Sequence, residues 1–148
     1  MIDRVSRDKL AELLHQFVAG RITNDEFQDR SPRSGDPAVR EVVKEAWLLY
    51  DDLREHRLTG KWKLTPQTRT DVAQWIMFLK TDQPYEWPVF PGWLELAFMA
   101  VNLSLLGLLG FFTHRWFANK GEIEVWPFIR RKDFESAKAV PKYLSGVA

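Results

Sequence analysis

The chain contains no cysteine. Disulfides, thiolate nucleophiles and metal sites built on Cys are therefore excluded. It also lacks an excess of either charge: 21 Lys and Arg stand against 20 Asp and Glu, for a formal net charge of +1. No global field draws in nucleic acid or an anionic membrane surface. Histidine is scarce, with three residues. No Gly-rich phosphate loop is present, and no serine lies in a nucleophile-elbow context. Paired carboxylates such as Asp51 and Asp52 are adjacent, so on a helix they diverge by about 100° and cannot act on one atom together. The chain reads as non-catalytic, with no cofactor and no small-molecule substrate. Residues 1–7 are charged and run into an amphipathic segment, so no secretory leader is expected. The expected location is intracellular, with a cytoplasmic N-terminal domain.

What is present is a chain of 148 residues, 45% hydrophobic and 28% charged, long enough to bury a core. Seven tryptophans are the unusual feature. Each buries roughly 200 Å² and needs a partner for its indole N–H, so most are expected in the core. Trp93 and Trp116 bracket the longest apolar stretch, a position that also suits a membrane-interface belt.

The N-terminal third reads as a helical hairpin. Ser6 is placed to cap a helix whose apolar positions Leu10, Leu13, Leu14, Phe17 and Val18 recur at three and four. Gly20 supplies its stop. Thr23-Asn24-Asp25-Glu26 forms a capping box, and Ile22 precedes it where it can staple onto Phe27. With its helix, its glycine, its Ile22-Thr23 and its Glu26-Phe27, the segment over roughly residues 8–30 resembles the short bacterial SHOCT-type module. That resemblance implies a docking or oligomerisation hairpin without catalysis.

A third helix is capped by Asp36 with Pro37 in its first turn. Its broad apolar face holds Val39, Val42, Val43, Ala46, Trp47, Leu49, Tyr50 and Leu53, and the spacing carries it to about Leu58. On it, Asp52 and His56 stand four apart on one face, the weak beginning of a metal site and the basis of an alternative reading as a metal-binding enzyme. Thr65-Pro66 starts a fourth helix that ends near Lys80. Three prolines among four aromatics over residues 84–93 then forbid regular structure. The expected organisation is an N-terminal helical domain over 1–82, a proline-aromatic linker over 83–92, and a C-terminal part over 93–148.

That last part opens on an apolar helix over 93–113. At about 100° per residue, Ala97, Ala100, Ser104 and Gly107 fall on one side, a small-residue strip that lets a second helix approach closely. The stretch is near the minimum length for a bilayer crossing. Basic residues follow it, so a plain crossing would export the N-terminal domain without a leader. Attachment to the inner membrane, or pairing with a second copy as a soluble homodimer, are the two partners it implies. Beyond it, Glu122 and Glu124 alternate with Ile123 and Val125, as Lys61 and Lys63 flank Trp62. This alternation predicts a short two-stranded pairing with lysines facing glutamates. Arg130, Arg131 and Lys132 form a basic patch, and Asp133 is placed to cap a short final helix. The overall expectation is a mostly α protein acting as a non-catalytic interaction or anchoring module.

Overall fold

Two fifteen-residue helices, α1 (Arg4–Val18) and α4 (Pro66–Lys80), form the central pair. The structure is a computed structural model and describes residues 1–89 and 120–140. Between and beyond the pair come α2 (Asn24–Arg30), α3 (Pro37–Ala46) and α5 (Arg131–Lys138). Single-turn 3-10 helices stand at Trp47–Leu49, Gly60–Trp62 and Ile123–Val125. α1 and α4 run antiparallel. Arg4, at the start of α1, donates to the carbonyls of Leu79 and Thr81 at the end of α4, while Val18 and Arg69 line a common cavity at the other end.

The buried face of α1 carries Leu10, Leu13, Leu14 and Phe17, as its three-and-four spacing requires. It packs with Val39, Val42 and Ala46 of α3 and with Val72, Ile76 and Leu79 of α4 in one continuous core. Val125, Phe128 and Ala137 belong to the same core. Residues on both sides of the proline-aromatic segment thus share one apolar interior. Phe128 meets Phe78 edge to face at 5.0 Å and Phe134 at 5.5 Å, which seats the C-terminal elements on α4.

The caps show where local chemistry governs. The Thr23–Glu26 box is complete: the Thr23 hydroxyl accepts from the Glu26 N–H at 3.2 Å, and the Thr23 N–H donates to the Glu26 carboxylate at 2.8 Å. Asp36 caps α3 and Thr65 caps α4, each with proline in the first turn. α1 starts earlier than expected, because Asp3 accepts both the N–H and the hydroxyl of Ser6, at 3.0 and 2.7 Å. A carboxylate at the positive helix end displaces the serine one turn upstream.

α1 closes in a Schellman arrangement, with Arg21 N–H donating to the Gln16 carbonyl and Gly20 N–H to the Phe17 carbonyl, both at 2.9 Å. Gly20 has φ +68°, and a Cβ there would lie 2.5 Å from the Thr59 methyl. Gly60 has φ +57° but open space around it. Gly20→Ala is therefore expected to cost more than the roughly 1–2 kcal/mol of left-handed strain that Gly60→Ala incurs. Urea denaturation of the two variants gives the comparison, and equal losses would remove the Thr59 contact as a factor.

Several expectations are corrected. The third helix ends at Ala46, not near Leu58, and Tyr50 turns to extended backbone at φ −146°. This places the Tyr50 ring edge-on to Phe17 and Phe27, at 5.6 and 6.3 Å, which a continued helix could not do. The returning chain is then held by Asn24, whose amide donates to the carbonyls of Asp51 and Arg54. The expected strand pairing is not formed. Both segments are 3-10 turns, and there is no strand among the described residues. Glu122 and Glu124 instead pair with Arg131, at 3.3 and 2.5 Å, and Lys61 lies over the Trp62 ring. Because Arg131 N–H also donates to Glu122, α5 begins at Arg131 without Asp133 as its cap; Asp133 sits inside the first turn. The architecture centred on a long apolar helix is likewise corrected: no helix among the described residues is long and apolar enough to cross a membrane. The stretch 93–113, with Ala97, Ala100, Ser104 and Gly107, lies outside the described residues.

Candidate functional site

Gln67, Asp71, Gln74 and Trp75 recur at four, three and one along α4 and so project from a single face. Three other elements meet that face. Glu45 comes from the last turn of α3, Tyr85 and Trp87 from the segment after α4, and Ile123, Glu124 and Trp126 from the 3-10 turn before α5. Together they line an open groove with a cavity volume of about 540 Å³.

The walls are aromatic and mutually braced. Trp75 and Trp126 meet edge to face at 5.5 Å, and Trp126 donates its indole N–H to the Tyr85 hydroxyl at 3.2 Å. Trp87 is buried and donates its indole N–H to the Phe128 carbonyl at 3.0 Å. Each of these bonds crosses between the α4 side of the groove and the C-terminal segment, so the aromatic groups hold the groove open as a preformed shape.

The polar groups are acids and amides. Burial pushes the Glu45 carboxyl above its ordinary value; Glu41 adds to that shift, and Lys44 pulls against it. Burial also raises the Tyr85 phenol well above its usual range, and the Glu41 and Glu45 charges work in the same direction. Tyr85 therefore stays protonated. Asp71 accepts from the Gln67 amide at 3.2 Å, and Glu124 is held by Arg131. Among the described lining residues there is no lysine, arginine, histidine or serine.

The residues singled out from sequence lie elsewhere. His56 is buried, stacked on Trp62 at 4.1 Å, and its Nδ1 donates to the Arg54 carbonyl at 2.7 Å. Its Nε2 is buried without a hydrogen-bond partner among the described residues. Asp52 is exposed in the turn region after α3, so the shared helical face that would have made it a co-ligand does not exist. No group of three or more metal-ligating side chains occurs among the described residues. In the basic patch, Arg130 stands at the N-cap of α5, Arg131 is engaged by two glutamates, and Lys132 is exposed. Trp47 and Leu53, expected on the buried face of the third helix, are 54% and 86% exposed, and Leu48 between them is exposed as well.

The groove escapes sequence reading because its residues come from four separate segments. Local hints exist in Tyr85-Glu86-Trp87 and Glu124-Val125-Trp126, where acids alternate with large aromatics. Neither says that the two runs face each other. No protein-family model matches this chain, and no curated protein or solved structure matches it either.

Proposed function

We propose that the protein is a non-catalytic binding module that works through the aromatic groove between α4 and the segment around Trp126. The observation that supports this reading is a cavity of about 540 Å³ walled by Trp75, Tyr85, Trp87 and Trp126. Concave, mostly apolar sites with a few convergent polar groups are where ligands bind in preference to the rest of a surface. The lining favours holding over reacting. Among the described lining residues there is no serine, lysine or histidine, so no nucleophile stands paired with a base there.

The test is a fragment screen on the intact chain, followed through the indole N–H signals. Binders are expected to shift the Trp75 and Trp126 signals together, to lose affinity roughly tenfold in Trp126→Ala, and to be recovered chemically unchanged. Clustering of the shifts at Trp47, or steady conversion of a bound fragment, would overturn the reading.

A further inference from the structure

The groove combines two features that serve one kind of ligand. Four aromatic side chains line it, and the π-face of such a ring attracts a cation lying within about 6 Å of its centroid. Its polar groups include the carboxylates of Glu45, Asp71 and Glu124 and no basic side chain among the described residues. The Arg131 guanidinium answers Glu124 from outside the lining. For Glu45, the opposing pull of Lys44 is smaller than the effect of burial, which leaves the carboxyl disfavoured as an anion in the unliganded groove. A ligand cation seated beside it would reverse that balance.

We propose that the occupant is a small organic cation carrying a quaternary or heavily alkylated ammonium, an assignment that rests on the groove being the binding site. The choice among cations follows from solvation. A primary ammonium is a strongly hydrated point charge that gives up its water only for acceptors placed at all three of its donors, whereas four of the ten described lining residues present aromatic rings. An alkylated ammonium carries the same charge beneath methyl groups, needs no hydrogen bonds, and gains contact area from the same rings. The cavity exceeds what a single tetraalkyl head fills, so a short alkyl or hydroxyalkyl arm is accommodated, with Gln67 and Gln74 able to meet its polar end. A phosphate next to the ammonium is disfavoured, because it would sit against the same three carboxylates. The free cation is therefore the ligand, and a phosphocholine headgroup is not.

The experiment titrates the isotope-labelled full chain with tetramethylammonium, choline, the neutral carbon isostere of choline, ethanolamine, and phosphatidylcholine vesicles. Tetramethylammonium and choline are expected to shift the Trp75 and Trp126 indole signals saturably. The isostere and ethanolamine are expected to bind roughly tenfold more weakly, as the loss of a desolvated cation–π contact implies. Glu45→Gln removes the charge in nearly the same shape and is expected to weaken choline several-fold, while its thermal unfolding stays the same or rises. If the isostere binds as tightly as choline, the groove remains a binding site and the cation assignment falls. Groove shifts with vesicles but not with free choline would transfer the site to a lipid headgroup and overturn the proposal. Silence of the groove signals with every cation, while neutral fragments still bind there, overturns the cation alone. Silence with cations and fragments alike overturns the groove reading as well.

Discussion

Replacing Arg7 with methionine is expected to lower the unfolding free energy by about 3–5 kcal/mol at neutral pH, the cost of leaving a buried partner charge uncompensated. Arg7 is fully buried and Asp36 nearly so. The guanidinium donates twice to the carboxylate, through Nε at 2.6 Å and Nη2 at 3.2 Å. Its remaining nitrogen donates to the carbonyls of Thr81 and Gln83, at 3.1 and 2.8 Å, and its plane lies near the Phe78 ring. Asp36 in turn accepts the N–H groups of Asp3 and Ala38, at 3.0 and 2.9 Å. One ion pair thus ties the start of α1, the start of α3 and the chain leaving α4.

The pH dependence of this effect has a definite sign. Burial alone pushes the Asp36 carboxyl upward, but the hydrogen bond from Arg7, the two backbone donors and the Arg7 charge together hold it below its ordinary value of 3.8. A lowered folded-state value contributes stability above the unfolded value, and that contribution is lost as the pH falls through the folded one. Without Arg7, burial dominates and the carboxyl moves upward, so the variant loses stability as the pH rises. The gap between wild type and Arg7→Met should therefore be widest near neutrality and narrow below about pH 4. Urea denaturation at neutral and acid pH measures it. A gap that stays constant would mean that Arg7 acts through packing and its backbone bonds, not through Asp36.

Phe17→Ala is expected to cost about 3–5 kcal/mol, as truncating a fully buried aromatic does when its surroundings cannot collapse. Phe17 is fully buried, stacks on Phe27 at 4.9 Å with ring planes 17° apart, and meets Tyr50 edge-on. These three rings come from α1, α2 and the chain just after α3. Removing the central one frees both neighbours at once. The loss should register as a large drop in the urea midpoint with an unchanged denaturant slope. Val5, exposed on the same helix, is the matched control, and Val5→Ala should stay within about 0.5 kcal/mol of wild type. A comparable loss at both positions would remove the buried ring cluster as the cause, since alanine has the higher helix propensity at each.

The helices and their boundaries were legible wherever the deciding contact spans a few residues. The Thr23–Glu26 box, the Asp36-Pro37 and Thr65-Pro66 starts, and the Gly20 stop are hydrogen bonds and backbone angles that depend only on immediate neighbours. The apolar spacing of α1 identified its buried face for the same reason. The hidden Arg7 left no such trace, because a basic residue at the edge of an amphipathic pattern reads as solvated unless its carboxylate, 29 positions away, is known to meet it.

Where two local tendencies competed, tertiary contacts chose between them. The apolar run through Leu53 supports a longer α3, yet the edge-on packing of Tyr50 against Phe17 and Phe27 outweighs further helical turns, and Trp47 and Leu53 are left exposed. The alternation in residues 61–64 and 122–125 fits paired strands. A single guanidinium at Arg131, held close to both Glu122 and Glu124, satisfies those carboxylates within ten residues and leaves Lys61 to the Trp62 ring. The sequence by itself determined the helical class, the Thr23, Asp36 and Thr65 caps and the absence of cysteine chemistry, since these follow from composition and from interactions along the chain. The tertiary structure alone decided the Arg7–Asp36 anchor and the groove of Trp75, Tyr85, Trp87 and Trp126. Both depend on which distant segments lie side by side, and that is settled by the burial of the common core around Phe78 and Phe128.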